Sequence, residues 1–505
     1  MLSHIPLLSL MIWTPLVGAV ITLFIGRDGH DNRARWAALI TALIGIIYCI
    51  PAYIGFNNQD FHMQFQELHP WISVYGINYA LGVDGISLPL IFLTSLTTLL
   101  VVLAGWQTIT FRIGQYMASF LVMSSMVIGV FASLDSVLFY IFWEGMLIPM
   151  YLNIGIWGSE NRSYASIKFF LYTFFGSALL LVVILYLRIH ANSFAITDFY
   201  PLKMSMHAQI IVFLGFLLAF AVKVPMWPVH TWLPDAHTEA PAGGSVVLAA
   251  LMLKLGGYGF LRFSLPIVPD ACHMLDKWMI VLSLVAIVYI GLVAIAQVDM
   301  KKLIAYSSVA HMGFVTLGSF MIYSIVQATG DVSEAYMSLE GAMVQMIAHA
   351  FGSGAMFLGV GVLYHRLHSR LIKDFGGVAN TMPVFATLFM IFAMSNVGLP
   401  GTAGFVGEFM VILSAFQASF WVAFFAAMTL ILGASYTLWM YKRVFFGSVT
   451  SAGVDSLTDI NMMERLYLMI LAAGVLFLGI YPMPLLNMLH ATTGHLLQLS
   501  LVSKL

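Results

Sequence analysis

The chain has 505 residues, of which 61% are hydrophobic and only 9% are charged, and its formal net charge is −1. A soluble domain carries about 25% charged residues, so this composition excludes a water-soluble globular protein and indicates a chain that lies in lipid. The neutral charge balance offers no basic surface to nucleic acid. The two cysteines, Cys49 and Cys272, are too few to ligate an iron–sulfur cluster.

Apolar runs of about 18 to 25 residues, the length that crosses a bilayer as a helix, recur along the whole chain. The first begins near Ile5 without the features of a signal peptide, so it is predicted to be a retained helix. The longest linker, 56–86, has an alternating stretch from Trp71 to Tyr79 that is expected to form a small external hairpin. Fourteen spans are predicted, at 5–25, 36–55, 87–106, 113–132, 136–157, 164–187, 209–227, 242–264, 278–296, 301–323, 336–365, 383–418, 420–445 and 466–486.

The distribution of lysine and arginine predicts the orientation of these spans. Of the 21 basic residues, fourteen fall in the loops and span ends of one side and five in those of the other. The richer side is expected to be cytoplasmic, which places both termini outside. The remaining two, Lys223 and Lys254, fall inside spans.

Four ionisable residues lie deep in predicted spans, namely Glu144, Lys223, Lys254 and Glu408. A charge at the bilayer centre costs about 2.5 to 3.5 kcal/mol on insertion scales, so it persists only with a partner or a purpose. Alternating acids and amines suit a proton relay. The alternative is structural, with paired or neutral side chains that only hold helices together. Glu144 and Lys223, on spans five and seven, are expected to face each other.

Three histidines join this set with weaker support. His311 and His349 lie centrally in spans ten and eleven, and imidazole titrates near neutral pH, which suits proton transfer. A lone histidine in a membrane helix can instead serve as a hydrogen-bonding group between helices. His237 lies in a proline-rich segment near the cytoplasmic end, where it serves proton entry or caps a turn. No metal site is expected, because the histidines do not pair with carboxylates or thiols at ligand spacing.

Two spans are interrupted beside a buried charge. Lys223 is followed by Pro225, and Glu408 is preceded by Gly398 and Pro400. Broken helices in corresponding positions are typical of transporters built from inverted repeats. The breaks are five spans apart, and an odd number of crossings inverts the second unit. The prediction is one membrane domain, 1–505, with N-terminal helices (1–110), a first repeat (111–265), an inverted repeat (277–446) and a last helix with its tail (464–505). Two unrelated kinks are the alternative.

Several stretches resemble the antiporter-like membrane subunits of respiratory complex I, the proton-translocating NADH:quinone oxidoreductase, and the resemblance covers nearly the whole chain. These stretches are Phe142-Trp143-Glu144 with Pro149-Met150-Tyr151, Lys223-Val224-Pro225, Trp232-Leu233-Pro234-Asp235-Ala236-His237, Lys301-Lys302-Leu303-Ile304-Ala305-Tyr306-Ser307-Ser308, and Gly404-Phe405-Val406-Gly407-Glu408-Phe409.

Glu408 distinguishes the branches of that superfamily. The L and N subunits, and the related Mrp-type Na⁺/H⁺ antiporter subunits, usually carry lysine on the second broken helix, whereas the M branch carries glutamate. The chain also lacks the long lateral helix of the L branch. The M branch is therefore favoured, and an Mrp-type subunit driven by an ion gradient is the alternative. A third possibility, a structural scaffold, predicts that neutralising Lys254 leaves turnover intact.

The resemblance implies fourteen helices with two inverted five-helix repeats, which translocate protons while quinone is reduced elsewhere. Glu144 and Lys223 would form the ion pair of a first half-channel. Lys254 would be the central relay with His311 and His349 nearby, and Glu408 would head the exit half-channel. FMN, iron–sulfur clusters and quinone would belong to partner subunits, so no cofactor is expected in this chain. The implied partners are the L and N subunits and small membrane subunits, in a bacterial inner (plasma) membrane with both termini periplasmic.

Overall fold

The computed structural model describes residues 5–28, 31–449 and 451–505, and within these ranges the chain is almost entirely helical. Thirteen of the described helices are long and apolar enough to cross a membrane, and two shorter apolar helices follow each other in one further span. The predicted all-α membrane fold is confirmed. The helices are α1 (Leu7–Ile25), α2 (Asp31–Gly55), α3 (Ser87–Thr108), α4 (Ile113–Ala132), α5 (Ser136–Trp157), α6 (Arg162–Ala191), α7 (Met206–Lys223), α8 (Trp232–Glu239), α9 (Ala242–Ile267), α10 (Pro269–Ile295), α11 (Met300–Thr329), α12 (Ser333–Leu367), α13 (Pro383–Val397), α14 (Ala403–Ala418), α15 (Phe420–Phe445), α16 (Met462–Ile480) and α17 (Met483–Leu501).

The linker between α2 and α3 forms the predicted hairpin. Strands β1 (Gln64–Ile72) and β2 (Ile77–Val83) pair antiparallel around a turn that ends at Gly76. The Glu67 carboxylate accepts a hydrogen bond from the Leu8 N–H at 2.8 Å. This bond ties the hairpin to the first turn of α1, whose N–H groups have no partner within the helix.

Both predicted helix breaks are present. α7 ends at Lys223, and a run of turns that contains Pro225 separates it from α8. α13 ends at Val397, and residues 398–402, which include Pro400, separate it from α14. Proline has no N–H to donate, so it interrupts the helical hydrogen bonds at each break. Gly398 has φ of +80°, a left-handed conformation that glycine adopts without steric cost.

Two enclosed helices form the centre of the bundle. α9 and α12 are covered by other helices over their whole apolar windows, whereas α1 and α2 leave most of theirs outside. α9 is also irregular, because π-helical segments at Leu248–Met252 and Phe260–Ser264 lie on either side of Lys254. Such segments shift side-chain direction within a helix and are frequent at functional sites.

The backbone makes one local arrangement twice, five spans apart. An antiparallel bridge joins Asp135, just before α5, to Ala195, just after α6. A second joins Asp299, just before α11, to Leu371, just after α12. In each bridge, the two flanking N–H groups donate across it at 2.8–2.9 Å. Each aspartate also accepts from two N–H groups in the first turn of its helix.

The two bridges lie at opposite faces of the bundle. Asp135 precedes the first residue of α5, whereas Arg370, which adjoins the second bridge, donates to Ser159 just beyond the last residue of α5, at 3.1 Å. The same arrangement, at opposite ends of the same helix, supports the inverted repeats predicted from the sequence.

The C-terminal region differs from its prediction of one last span near 466–486 and a tail. α16 ends at Ile480, and α17 then runs across the same face as the hairpin. There His490 Nδ1 lies 2.8 Å from the Glu340 carboxylate, and the Thr492 hydroxyl accepts from the Gly85 N–H at 3.0 Å. The apolar pattern continues through Met483 to Leu486, so the predicted span extends past the actual end of the helix at Ile480.

Candidate proton-relay site

Four of the predicted site residues form a row through the centre of the bundle. Lys254 Nζ lies 2.8 Å from His349 Nδ1 and donates to the Ala249 carbonyl at 2.6 Å. The His349 and His311 ring centroids are 6.0 Å apart. His311 Nδ1 lies 2.6 Å from Glu408 Oε1. Each of the four ionisable side chains belongs to a residue that is at most 5% exposed.

Four different helices bring these side chains together. Lys254 is on α9, His311 on α11 and His349 on α12, while the break before α14 places Glu408 about one and a half turns from a new helix start. Gln345, one turn before His349, donates to Glu408 Oε1 at 3.0 Å. One carboxylate oxygen therefore accepts two hydrogen bonds, and the other faces the break, where a methyl group added at Gly398 would lie 3.1 Å from it.

The two imidazoles suit the row for proton transfer. Each uses Nδ1 within the row, and each Nε2 has no hydrogen-bond partner among the described residues. A neutral imidazole has one donor and one acceptor nitrogen, so it takes a proton at one and releases a proton at the other. Amine, imidazole, imidazole and carboxylate thus follow one another from the first half of the chain to the second.

The expected direct ion pair between Glu144 and Lys223 is not formed. No oxygen of Glu144 lies within 4.0 Å of Lys223 Nζ, and Glu144 Oε1 has no hydrogen-bond partner among the described residues. Lys223 instead lies over the indole of Trp143, with Nζ 4.1 Å from the ring centroid and 3.4 Å from the Trp143 carbonyl. A cation over an indole face is stabilised by the ring quadrupole, so the neighbour of Glu144 holds the ammonium.

His237 is buried, not at a surface turn. Its ring stacks on Phe357 of α12, with centroids 4.4 Å apart, and neither nitrogen has a hydrogen-bond partner among the described residues. A buried imidazole without hydrogen-bond partners is costly, which favours a role of His237 in proton entry over turn capping. The structure places it beside α12 but not in the row.

A buried charge cluster at the end of α8 was not predicted. The Arg370 guanidinium donates to Asp299 at 2.7 Å and to Glu239 at 3.1 Å, and Lys301 Nζ donates to the Ala240 carbonyl at 2.7 Å. A cavity of about 510 Å³ opens beside this cluster. The predicted spans leave Glu239, Asp299 and Arg370 in linkers and Lys301 at the start of a span, because sequence position alone does not show that these segments converge.

A second unpredicted pair lies near the hairpin. Arg262, near the end of the predicted span 242–264, is buried, and its Nη2 lies 2.6 Å from Asp84 Oδ2. Its Nε donates to the Tyr258 hydroxyl at 3.2 Å, so Lys254, Tyr258 and Arg262 follow one another at helical spacing along α9. An aspartate in the loop before α3 was the available signal, since a buried arginine requires a partner.

Among residues 5–28, 31–449 and 451–505, no group of three or more His, Cys, Asp or Glu side chains lies close enough together to hold a metal ion.

Comparison with known sequences assigns these features to a family. A family model described as NADH:quinone oxidoreductase/Mrp antiporter, TM, matches residues 133–433. The chain is 45% identical to NADH-quinone oxidoreductase subunit M of Rhodobacter capsulatus, over 97% of this chain and 96% of that protein. It is 41% identical to the subunit M of Rickettsia prowazekii (strain Madrid E), over 98% and 99%. It is 40% identical to NADH-ubiquinone oxidoreductase chain 4 of Marchantia polymorpha, over 97% of each.

Comparison with solved structures agrees. A chain of respiratory complex I from Thermus thermophilus with bound NADH matches with a TM-score of 0.87 and 28% identity, over 97% of this chain and 99% of that one. A chain of the Mrp complex from Dietzia sp. DQ12-45-1b matches with a TM-score of 0.80 and 19% identity, over 98% of this chain and 52% of that one. The second match shows a shared fold alone.

Proposed function

The chain belongs to the subunit M family of NADH-quinone oxidoreductase, the proton-translocating complex I, and we propose that its protons pass along the row from Lys254 to Glu408. It is a multi-pass membrane subunit of that complex. The observation that carries the proposed route is the row itself, in which four buried titratable groups from four helices follow one another.

We propose that Glu144 and Lys223 load the row. Glu144 carries a carboxylate oxygen without a partner, so it is free to take a proton, and that proton removes its attraction for the ammonium held on Trp143. Lys223 then exchanges a proton with Lys254, and the proton moves on through His349 and His311. Glu408 releases the proton at the break before α14, where freed backbone groups admit water or polar side chains.

The direction follows from the predicted orientation. We propose entry from the cytoplasmic side, exit on the periplasmic side of a bacterial inner membrane, and both termini on that exit side. His237 is a lower-ranked candidate for the entry side. FMN, iron–sulfur clusters and quinone are assigned to partner subunits, and the proposed neighbours are the L and N subunits and small membrane subunits. The relatives at 40–45% identity bear complex I names, so this role is preferred to that of an Mrp-type Na⁺/H⁺ antiporter subunit.

Replacing Lys254 by methionine in the assembled complex tests the route. Methionine fills similar volume without an exchangeable proton, so quinone-coupled turnover and proton pumping are expected to fall at least about a hundredfold, the lower end of the range for loss of a proton-transfer group. Lys277→Met, which removes an exposed lysine from α10, is the matched control and should pump normally. Full coupled pumping by an assembled Lys254→Met complex would refute the route.

A further inference from the structure

A cleft between α1 and α4 lies outside the proton route. It encloses about 570 Å³ and is lined by Val20, Leu23, Phe24, Gly26, Arg27, Arg112, Gly114 and Gln115. Arg27 follows the last residue of α1, and Arg112 precedes the first residue of α4, so two arginines flank one opening. Both side chains are exposed.

The described lining of this cleft carries arginines without acids. None of its described lining residues is acidic, and neither Arg27 nor Arg112 pairs with a carboxylate among the described residues. The other cavities at this face differ. The cavity beside Arg370 contains three acids, and Arg366 in another donates both guanidinium arms to Glu464, at 2.7 and 2.8 Å. Of these three cavities, the cleft between α1 and α4 is therefore the one whose arginines have no carboxylate partner within the described part of the chain.

The floor of the cleft adds backbone donors. A methyl group at Gly26 would lie 2.9 Å from the Cα of Gly114, so the two helices meet there without side chains between them. The N–H groups of Gly114 and Gln115, in the first turn of α4, have no acceptor among the described residues. First-turn N–H groups of a helix favour an anion through the helix dipole.

The tryptophans around the cleft indicate that it lies at headgroup depth. Trp157 at the end of α5 donates its indole N–H to the Phe111 carbonyl, next to Arg112, at 2.8 Å. Trp36, near the start of α2, and Trp106, near the end of α3, form an edge-to-face pair. Tryptophan is enriched at the membrane–water interface. Below the arginines, Val20, Leu23 and Phe24 are exposed on the outside of α1 and form an apolar wall.

We propose that this cleft binds an anionic phospholipid, with its phosphate between Arg27 and Arg112 and an acyl chain along α1. A basic pocket between transmembrane helices is the chemistry that recognises such headgroups. The apolar wall distinguishes a lipid from free phosphate, because a soluble anion makes no use of Val20 or Phe24. The inference is independent of the proton route, which uses none of these residues.

The test measures lipid retention by the assembled complex in nanodiscs of phosphatidylcholine doped with spin-labelled phosphatidylglycerol. The doubly substituted Arg27→Gln/Arg112→Gln complex should lose selective immobilisation of the label by roughly thirtyfold, since each of the two basic residues contributes about 1 kcal/mol towards anionic lipid. The Arg27→Lys/Arg112→Lys complex should retain most of it. The matched control is Lys442→Gln/Arg443→Gln, which removes two exposed charges from the end of α15.

A photoreactive acyl chain supplies a second readout. Cross-linking of phosphatidylglycerol to residues 17–24 in the wild type, lost in the double glutamine variant, supports the proposal. Equal immobilisation in the wild type and the double glutamine variant overturns it. Displacement by millimolar inorganic phosphate also overturns it, since the site would then bind any phosphate anion. Absence of the immobilised component from the wild-type complex overturns it too, because another subunit then covers the cleft.

Discussion

The two repeats share a backbone plan but hold their acids differently. Counted from the matching bridges, Glu144 lies nine residues after Asp135, and Ser308 lies nine residues after Asp299. In the same way, Ser177 and Ser353 lie eighteen residues before Ala195 and Leu371. The place of Glu144 beside Ser177 is thus taken in the second repeat by Ser308, whose hydroxyl lies 3.0 Å from that of Ser353.

In the second repeat the acid is Glu408, which lies beside the break between α13 and α14. Glu408 has two hydrogen-bond donors on one oxygen, whereas Glu144 Oε1 has none among the described residues. The first repeat therefore holds a carboxylate with one oxygen free of partners among the described residues, whereas the second repeat binds its carboxylate to a histidine of the row. On the proposed route, the same fold would serve loading in one half and release in the other.

The largest difference between the halves should appear on removing each carboxylate. Glu408→Ala strands the donors of His311 and Gln345, and leaving one side of a buried pair costs about 3 to 5 kcal/mol. Glu144→Ala loses only the neighbouring Ser177 hydroxyl and makes no direct ion pair to break, so it should cost about 1 kcal/mol, the cost of an average substitution. Thermal unfolding of the assembled complex measures both. Equal losses would show that the two acids are held alike.

Glu144→Gln should leave an assembled complex with strongly reduced turnover. Glutamine keeps the shape of the side chain but cannot carry the proton, and loss of such a group costs about 10²- to 10⁴-fold in rate. Proton pumping by the complex in proteoliposomes is the measurement. A second carboxylate one turn along α5, in Glu144→Gln/Ile148→Glu, should restore part of the activity, because residues four apart share a face.

A structural pair would behave differently from this loading site. If Glu144 and Lys223 only held helices together, the double variant Glu144→Gln/Lys223→Met would recover both stability and pumping. We expect it to assemble without pumping. Near-normal pumping by Glu144→Gln alone would show that the carboxylate is structural.

The serine positions should give a smaller contrast. Ser177 accepts the Trp143 indole N–H at 3.0 Å, so Ser177→Ala leaves a buried donor unpaired and should cost about 1 to 3 kcal/mol. Ser308→Ala removes the partner of the Ser353 hydroxyl, but a serine hydroxyl in a helix can rotate to the carbonyl one turn before it, so the change should cost about 1 kcal/mol or less. Chemical denaturation of the two assembled variants compares them. The reverse order would mean that the hydroxyl pair, and not the indole contact, stabilises its repeat.

A similarly small effect is expected from Trp143→Phe. A phenyl ring keeps a weaker cation–π contact with Lys223 and loses the bond to Ser177, for a cost of about 0.5 to 2 kcal/mol. Turnover should fall only modestly if the ring merely positions the ammonium. The apparent KM for quinone, which is bound elsewhere, should not change, and a changed KM would contradict a local role.

Hydropathy alone determined the membrane class, the fourteen spans and both broken helices. Lipid offers no hydrogen bonds, so every span must read as an apolar run, and a proline or a buried charge within it stands out. For this reason Lys223, Lys254, Glu408 and the central histidines could be predicted as a group. Their importance followed from the cost of placing them in lipid.

Tertiary structure alone decided which of these groups meet. Lys223 rests on Trp143 because packing brings an indole, not a carboxylate, over its ammonium. The π-helical segments around Lys254 leave no mark on composition or hydropathy, since one extra residue per turn changes side-chain direction but not residue type. The partner of Arg262 comes from a loop 178 positions earlier in the chain. Contacts between distant segments depend on the packed arrangement of helices, and an apolar pattern does not encode that arrangement.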